Sequence, residues 1–274
     1  MIFKYKAYDN LLLELGRNDY VVEITELATR DFLKTIQNSS SPEEHVKEKC
    51  KEYGIMVSFD KSNTFYNQIM LSHIASIYHH AETFLYELQV EYNSFSIEKW
   101  QFHKDKKRDD QTKLDQTITF FNSKKRFNQT DKIEDYLIDV FEYYHQLRVY
   151  FSHKTTVTKG EISRKWNKAK SHFENNVTLK NKYKITSEPK DIQNLDFEDF
   201  FLFTQISKEL CLKISSLCFP EPEGFANISE LKILKKHLDK KIRINRIESY
   251  LKTNFGYIRE NDSDILVEEI AKFL

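Results

Sequence analysis

Glycine, proline and cysteine are scarce in this 274-residue chain, at 5, 4 and 3 residues. So few glycines and prolines leave little material for the turns of a many-stranded β-protein, and they favour long uninterrupted helices. The three cysteines, Cys50, Cys211 and Cys218, are odd in number and have no paired metal spacing. They argue against a disulfide-built secreted scaffold or a Cys–His zinc module and fit a reducing, cytoplasmic setting. Net charge is missing too, because 42 Lys+Arg balance 42 Asp+Glu. No overall field draws nucleic acid to the molecule, and any RNA contact has to come from local patches. No apolar run has the length of a signal peptide or a bilayer span, so no membrane partner is expected. A Gly-rich phosphate loop, a G-x-S-x-G elbow and an H-E-x-x-H pair are also absent, which removes the common nucleotide, serine-hydrolase and zinc-protease chemistries.

What the chain does have is apolar residues at helical spacing. Ile133, Leu137, Val140, Phe141, Tyr144, Leu147 and Phe151 form one broad face along Ile133–His153 and predict a core helix. Arg148 lies at the margin of that face, with His145 three residues before it and Ser152 four after, all on one line. His153 is five residues on, about 140° round an ideal helix. Arg148 and His153 can therefore meet one ligand only if the last turn unwinds or their side chains reach sideways. The β-branched run Lys154–Gly160 is where unwinding is expected. A histidine moves protons near neutral pH and a guanidinium matches phosphate oxygens, so the pair suits phosphodiester cleavage without a metal. Tyr144 and Ser152 are candidates for hydrogen bonds to the substrate.

The rest of the chain reads as scaffold in three parts: an N-terminal helical arm over 1–63, a bundle with two polar insertions over 64–220, and a small helical subdomain over 225–274. In the arm, Ser41 and Glu44 are spaced for a capping box, Gly54 for a helix stop, and Ile55–Phe59 for an extended link or edge strand. Asn63–Tyr92 is the longest periodic segment. It carries His73, His79 and His80, but only His73 and His80 share a face and no carboxylate joins them in a ligand pattern, so no metal or other cofactor is expected. Glu82 on the same segment is either a partner that orients Arg148 or His153, or an ordinary surface carboxylate. The charge runs at His103–Asp110 and Lys124–Arg126 read as solvated loop. Lys154–Asn194 reads mostly as a solvated helical hairpin, although Trp166 and Tyr183 among its lysines could stack on single-stranded RNA. Lys235–Arg246 makes the C-terminal part locally basic, and Pro220–Gly224 is the clearest boundary.

Arg148-Val-Tyr-Phe-Ser-His153 at the end of an apolar helix resembles the R-x-x-x-x-H signature of the HEPN superfamily of all-helical domains, which includes toxin and phage-defence ribonucleases. Ala81-Glu82-x-x-Leu85 is similar to the opening helix of that fold. Leu195-Asp-Phe-Glu-Asp-Phe-Phe-x-x-x-Thr204 is similar to its closing helix. The likeness covers about Thr64 to Phe219. Two positions depart from common patterns in the superfamily: Val149 directly after the arginine and Thr155 two places after the histidine. The resemblance implies an all-α, HEPN-like helical bundle and a metal-independent endoribonuclease with Arg148 and His153 as catalytic residues. It further implies a homodimer in which two Arg–His helices face each other, and a neutralising antitoxin or defence-system partner. The alternative is a helical interaction or nucleic-acid-sensing module that keeps the fold without the chemistry.

Overall fold

Because glycine and proline fall mainly at the ends of elements, the helices run long. In the computed structural model every regular element among the described residues is a helix. The structure describes residues 3–56, 64–102, 112–122, 133–153, 158–218, 221–236, 239–258 and 266–274. The charge runs of 103–110 and 124–126 lie outside these residues, as does most of the Ile55–Phe59 link. No helix among the described residues is long and apolar enough to cross a membrane.

Helices α1 (Lys6–Gln37) and α3 (Thr64–Phe95) have 32 residues each and hold no proline. Between them, α2 (Pro42–Tyr53) starts with proline in its first turn and stops at Gly54, whose φ of 67° suits glycine. The expected capping box is not formed. Ser41 occupies the N-cap position, but its side chain makes no capping bond. Its N–H donates instead to Ser39 Oγ at 3.2 Å, which uses the donor that Glu44 would have needed. There follow α4 (Lys113–Asn122), α5 (Asp135–Ser152), α6 (Lys159–Ser171), α7 (Val177–Tyr183) and α8 (Phe197–Leu217). The chain ends with α9 (Pro222–Ala226), α10 (Ser229–Lys232) and its 3₁₀ extension Ile233–Lys236, α11 (Lys240–Phe255) and α12 (Leu266–Phe273).

These helices form two compact units that do not follow the consecutive division expected from the sequence. One comprises 1–13, 79–134 and 208–274; the other comprises 14–78 and 135–207. A 32-residue helix is ~48 Å long, enough to serve more than one core. Accordingly α1, α3 and α8 each give one segment to each unit. The Pro220–Gly224 break therefore falls inside the first unit rather than between domains.

The first unit is built on aromatic rings. Phe3 stacks on Phe255 at 4.7 Å and Phe95 on Phe225 at 5.7 Å, while Tyr92 and Trp100 meet Phe121 edge-on at 5.2 Å each. The C-terminal segment is thus tied to the N-terminal residues, and Lys4 N adds a bond to Phe255 O at 2.8 Å. Helix α9 packs against α12, and α12 against α11.

In the second unit α1 and α3 run antiparallel, pinned by Tyr66 Oη donating to Glu26 at 2.7 Å and Ser76 Oγ donating to Asn18 at 2.9 Å. The predicted face of α5 is buried at Leu137, Val140, Phe141, Tyr144 and Leu147. Helix α6 packs along α5 and buries Ile162 and Ala169, and the chain beyond it buries Phe173, Tyr183 and Ile185. The segment expected as a solvated hairpin is therefore core-forming, because its apolar residues face α5 and its charges pair with that helix. Asp196 N donates to Asp199 Oδ2 at 3.1 Å and Asp196 Oδ1 accepts from Glu198 N at 3.0 Å, a reciprocal cap that starts α8.

Candidate functional site

The residues with chemical potential gather on the solvent-side margin of α5, within the second unit. Arg148 is half-buried, and its guanidinium carbon sits 5.4 Å from the centre of the Tyr78 ring. The same ring stacks on His145 at 4.6 Å with planes 14° apart, and it contacts Phe141 at 5.6 Å. One tyrosine from α3 therefore orders both polar side chains that α5 carries three residues apart. No carboxylate among the described residues pairs with Arg148. A guanidinium held on a ring face and not neutralised by an acid keeps its donors for an anion.

His153 closes the helix. Its N–H donates to Val149 O at 2.7 Å, so α-helical bonding continues through this residue. The expected unwinding does not begin before His153, and the directions of Arg148 and His153 remain about 140° apart on the helix. Both His153 and Ser152 are exposed. Of the segment expected to unwind, 154–157 lies outside the described residues. Thr158 caps α6 by accepting from Glu161 N, and Lys159 and Gly160 belong to the first turn of α6.

The remaining candidates are spread more widely. Tyr144 is fully buried, and its hydroxyl donates to Asp199 Oδ1 at 2.8 Å. A substrate contact by Tyr144 would require that bond to break. Glu82 belongs to the other unit, where it pairs with Lys113 at 2.5 Å. Lys113 lies 4.0 Å from the centre of the Tyr86 ring. His73 touches the Phe200 ring edge-on at 6.0 Å, and burial lowers its pKa. His79 and His80 lie in the other unit. Among the described residues no group of three or more His, Cys, Asp or Glu side chains is arranged to hold a metal ion.

Tyr78 and Asp199 are the residues that sequence reasoning passed over. Tyr78 is one of many aromatics on α3, and its contacts with Arg148, His145 and Phe141 of α5 set it apart. Asp199 looks like an ordinary first-turn acid of α8 but is buried, and burial raises its pKa to about 7 even though Lys190 N, Asp196 N and Tyr144 Oη all donate to it. Trp166 and Tyr183, the proposed stacking platforms, are engaged as well. Trp166 Nε1 donates to Pro189 O at 2.8 Å, and Tyr183 is buried with its hydroxyl on Tyr136 at 3.1 Å. Neither a family model nor a curated protein nor a solved structure matches the chain.

Proposed function

We propose that the chain is a HEPN-type, metal-independent endoribonuclease of the toxin or phage-defence kind, acting through α5. The observation that carries this reading is Arg148, a half-buried guanidinium braced by Tyr78 with no acidic partner among the described residues, on the same helix as an exposed histidine. In the proposed reaction His153 takes the proton from a ribose 2′-hydroxyl. The 2′-oxygen attacks the adjacent phosphorus, the bond to the 5′-oxygen breaks, and a proton is returned to that leaving oxygen. The products carry a 2′,3′-cyclic phosphate and a 5′-hydroxyl. Arg148 meets the charge that grows on the phosphate. Because the two side chains diverge on one helix, the reading includes a second copy whose α5 supplies the complementary residue.

That same divergence favours a second reading, a non-catalytic HEPN-like module that binds a partner or senses nucleic acid through Arg148. Expression of wild type and His153→Ala in bacteria, followed by mapping of RNA ends, separates the two. The ribonuclease reading expects new cyclic-phosphate ends with wild type, loss of them in the variant, and no effect of a chelator on the purified protein. Equal RNA integrity in both strains leaves the binding module.

A further inference from the structure

The second unit carries an apolar stripe on α1 that faces solvent. Tyr20 is 68% exposed, Val21 58%, Ile24 51% and Leu27 68%, and Ala28 beside them is exposed as well. At 100° per residue, Tyr20, Ile24 and Leu27 lie within about 60° of one another, with Val21 and Ala28 on one border. The opposite side of the same helix buries Leu15, Val22 and Glu26, so the packing of the unit already has its own face. A helix that is apolar on its free side as well as its packed side has a second contact to make.

The ends of the stripe identify that contact. Arg17 and Asp31 are both exposed and both fall on the line of Ile24, seven residues before it and seven after. Seven residues are nearly two helical turns, so the three share one face. If two copies lie antiparallel with Ile24 opposite Ile24, Arg17 of one comes level with Asp31 of the other, and the reverse pair forms at the far end. In that register Tyr20 packs beside Leu27 of the second copy and Val21 beside Ala28, setting larger side chains against smaller ones. A parallel arrangement would instead set Arg17 against Arg17 and Asp31 against Asp31. Glu14 also bonds Arg17, but that pair is exposed and leaves other guanidinium donors free. The stripe complements itself in the antiparallel sense, and a self-complementary face is what an isologous twofold contact requires.

We propose that residues 17–31 of α1 form a self-pairing surface, through which two copies of the chain associate about a twofold axis passing at Ile24. The contact spans about four helical turns, which places it among small interfaces of the weak, transient kind. It is independent of the ribonuclease reading and of any pairing through α5.

The test is sedimentation equilibrium on the full chain, with circular dichroism as the check on folding. Wild type is expected to self-associate through α1 at micromolar concentration and Ile24→Arg to lose that one twofold step with unchanged helix content, ending as a monomer, or as a dimer where α5 also pairs. Arg17→Asp and Asp31→Arg should each weaken the dimer roughly tenfold, by setting like charges opposite each other twice per dimer, and the double variant should restore it. In a Cys50→Ser background, Ile24→Cys should be joined to a second copy by an added disulfide oxidant, whereas Glu23→Cys, about 100° away, should not. A monomer at hundreds of micromolar, or a dimer indifferent to both Ile24→Arg and the charge exchange, overturns the proposal. A dimer lost in Ile24→Arg but not rescued by the double exchange overturns the antiparallel register.

Discussion

Tyr144 and Asp199 meet inside the second unit, the phenol donating to the carboxylate at 2.8 Å with both side chains buried. The pair joins the helix that carries Arg148 to the first turn of α8. Burial dominates Asp199 and sets its folded pKa at about 7, against 3.8 for the unconstrained group. The folded chain thus holds this proton more tightly than the unfolded chain. The contribution to stability is complete below about pH 4 and is lost as pH rises through about 7, by on the order of 4 kcal/mol. Thermal melting across that window should show wild type losing stability relative to Asp199→Asn, whose amide does not titrate. The slope is the test, because Asn also gives up the bond from Asp196 N and should be less stable at low pH.

Tyr144→Phe follows from the same contact. It removes one of three donors to a buried carboxyl and should cost about 1–3 kcal/mol in denaturant unfolding. It should also move the Asp199 transition to higher pH. Loss of RNA cleavage in Tyr144→Phe without loss of stability would instead place the hydroxyl at the substrate.

The helices of this chain were legible because apolar spacing and the rarity of Gly and Pro act locally. The face of α5 from Leu137 to Leu147 and the long helix expected over Asn63–Tyr92 both appear where periodicity placed them. The units were not legible, since a periodic run records which face is buried and not against what. Nothing in the sequence of α3 says that Tyr66 serves one unit and Tyr92 the other. The site was legible only in its parts. Arg148 stood out through its spacing to His145, Ser152 and His153, but Tyr78, which orders it, is 70 residues away and one aromatic among 15 Tyr, 21 Phe and 2 Trp. The packing of α6 was hidden for a further reason. Its charges looked solvated, yet Lys165 pairs with Glu142, and Lys168 and His172 pair with Asp139.

Those pairs make an asymmetric prediction. The Asp139 side chain is only 4% exposed, whereas Lys168 is 60% and His172 29% exposed. Replacing Asp139 with Leu leaves Lys168 and His172, both of which can turn to water, and should cost about 1 kcal/mol. Replacing Lys168 and His172 together with Ala strands a buried carboxylate and should cost about 3–5 kcal/mol. Denaturant midpoints at neutral pH give the order, and equal costs would mean that Asp139 is solvated.

Gly224 in the first unit sits against the backbone of Phe95. A Cβ added there would lie 2.6 Å from Phe95 O, and a carbonyl in the last turn of α3 cannot swing aside as a side chain can. Gly224→Ala should therefore cost about 1–3 kcal/mol. Gly160→Ala is the control, because its Cβ meets nothing within 4 Å, and the change should be neutral or slightly stabilising. Melting temperatures of the two variants test the contrast.

Tyr78 provides the sharpest prediction about the site. If the ring fixes Arg148 for a phosphate, its removal should act through Arg148 and not merely through packing. A cation over a ring contributes about 0.5–2 kcal/mol, so Tyr78→Leu should lower RNA cleavage by roughly tenfold, while Tyr78→Phe, which keeps the ring, should lower it less. Tyr78→Leu also removes contacts with Phe141 and His145, so a fall in activity alone does not separate the two causes. A double-mutant cycle with Arg148→Gln does. In Arg148→Gln the guanidinium is already gone, and adding Tyr78→Leu should cost stability but no further activity. Additive losses of activity would mean that the ring and the arginine act separately, and that Arg148 is positioned by something other than Tyr78.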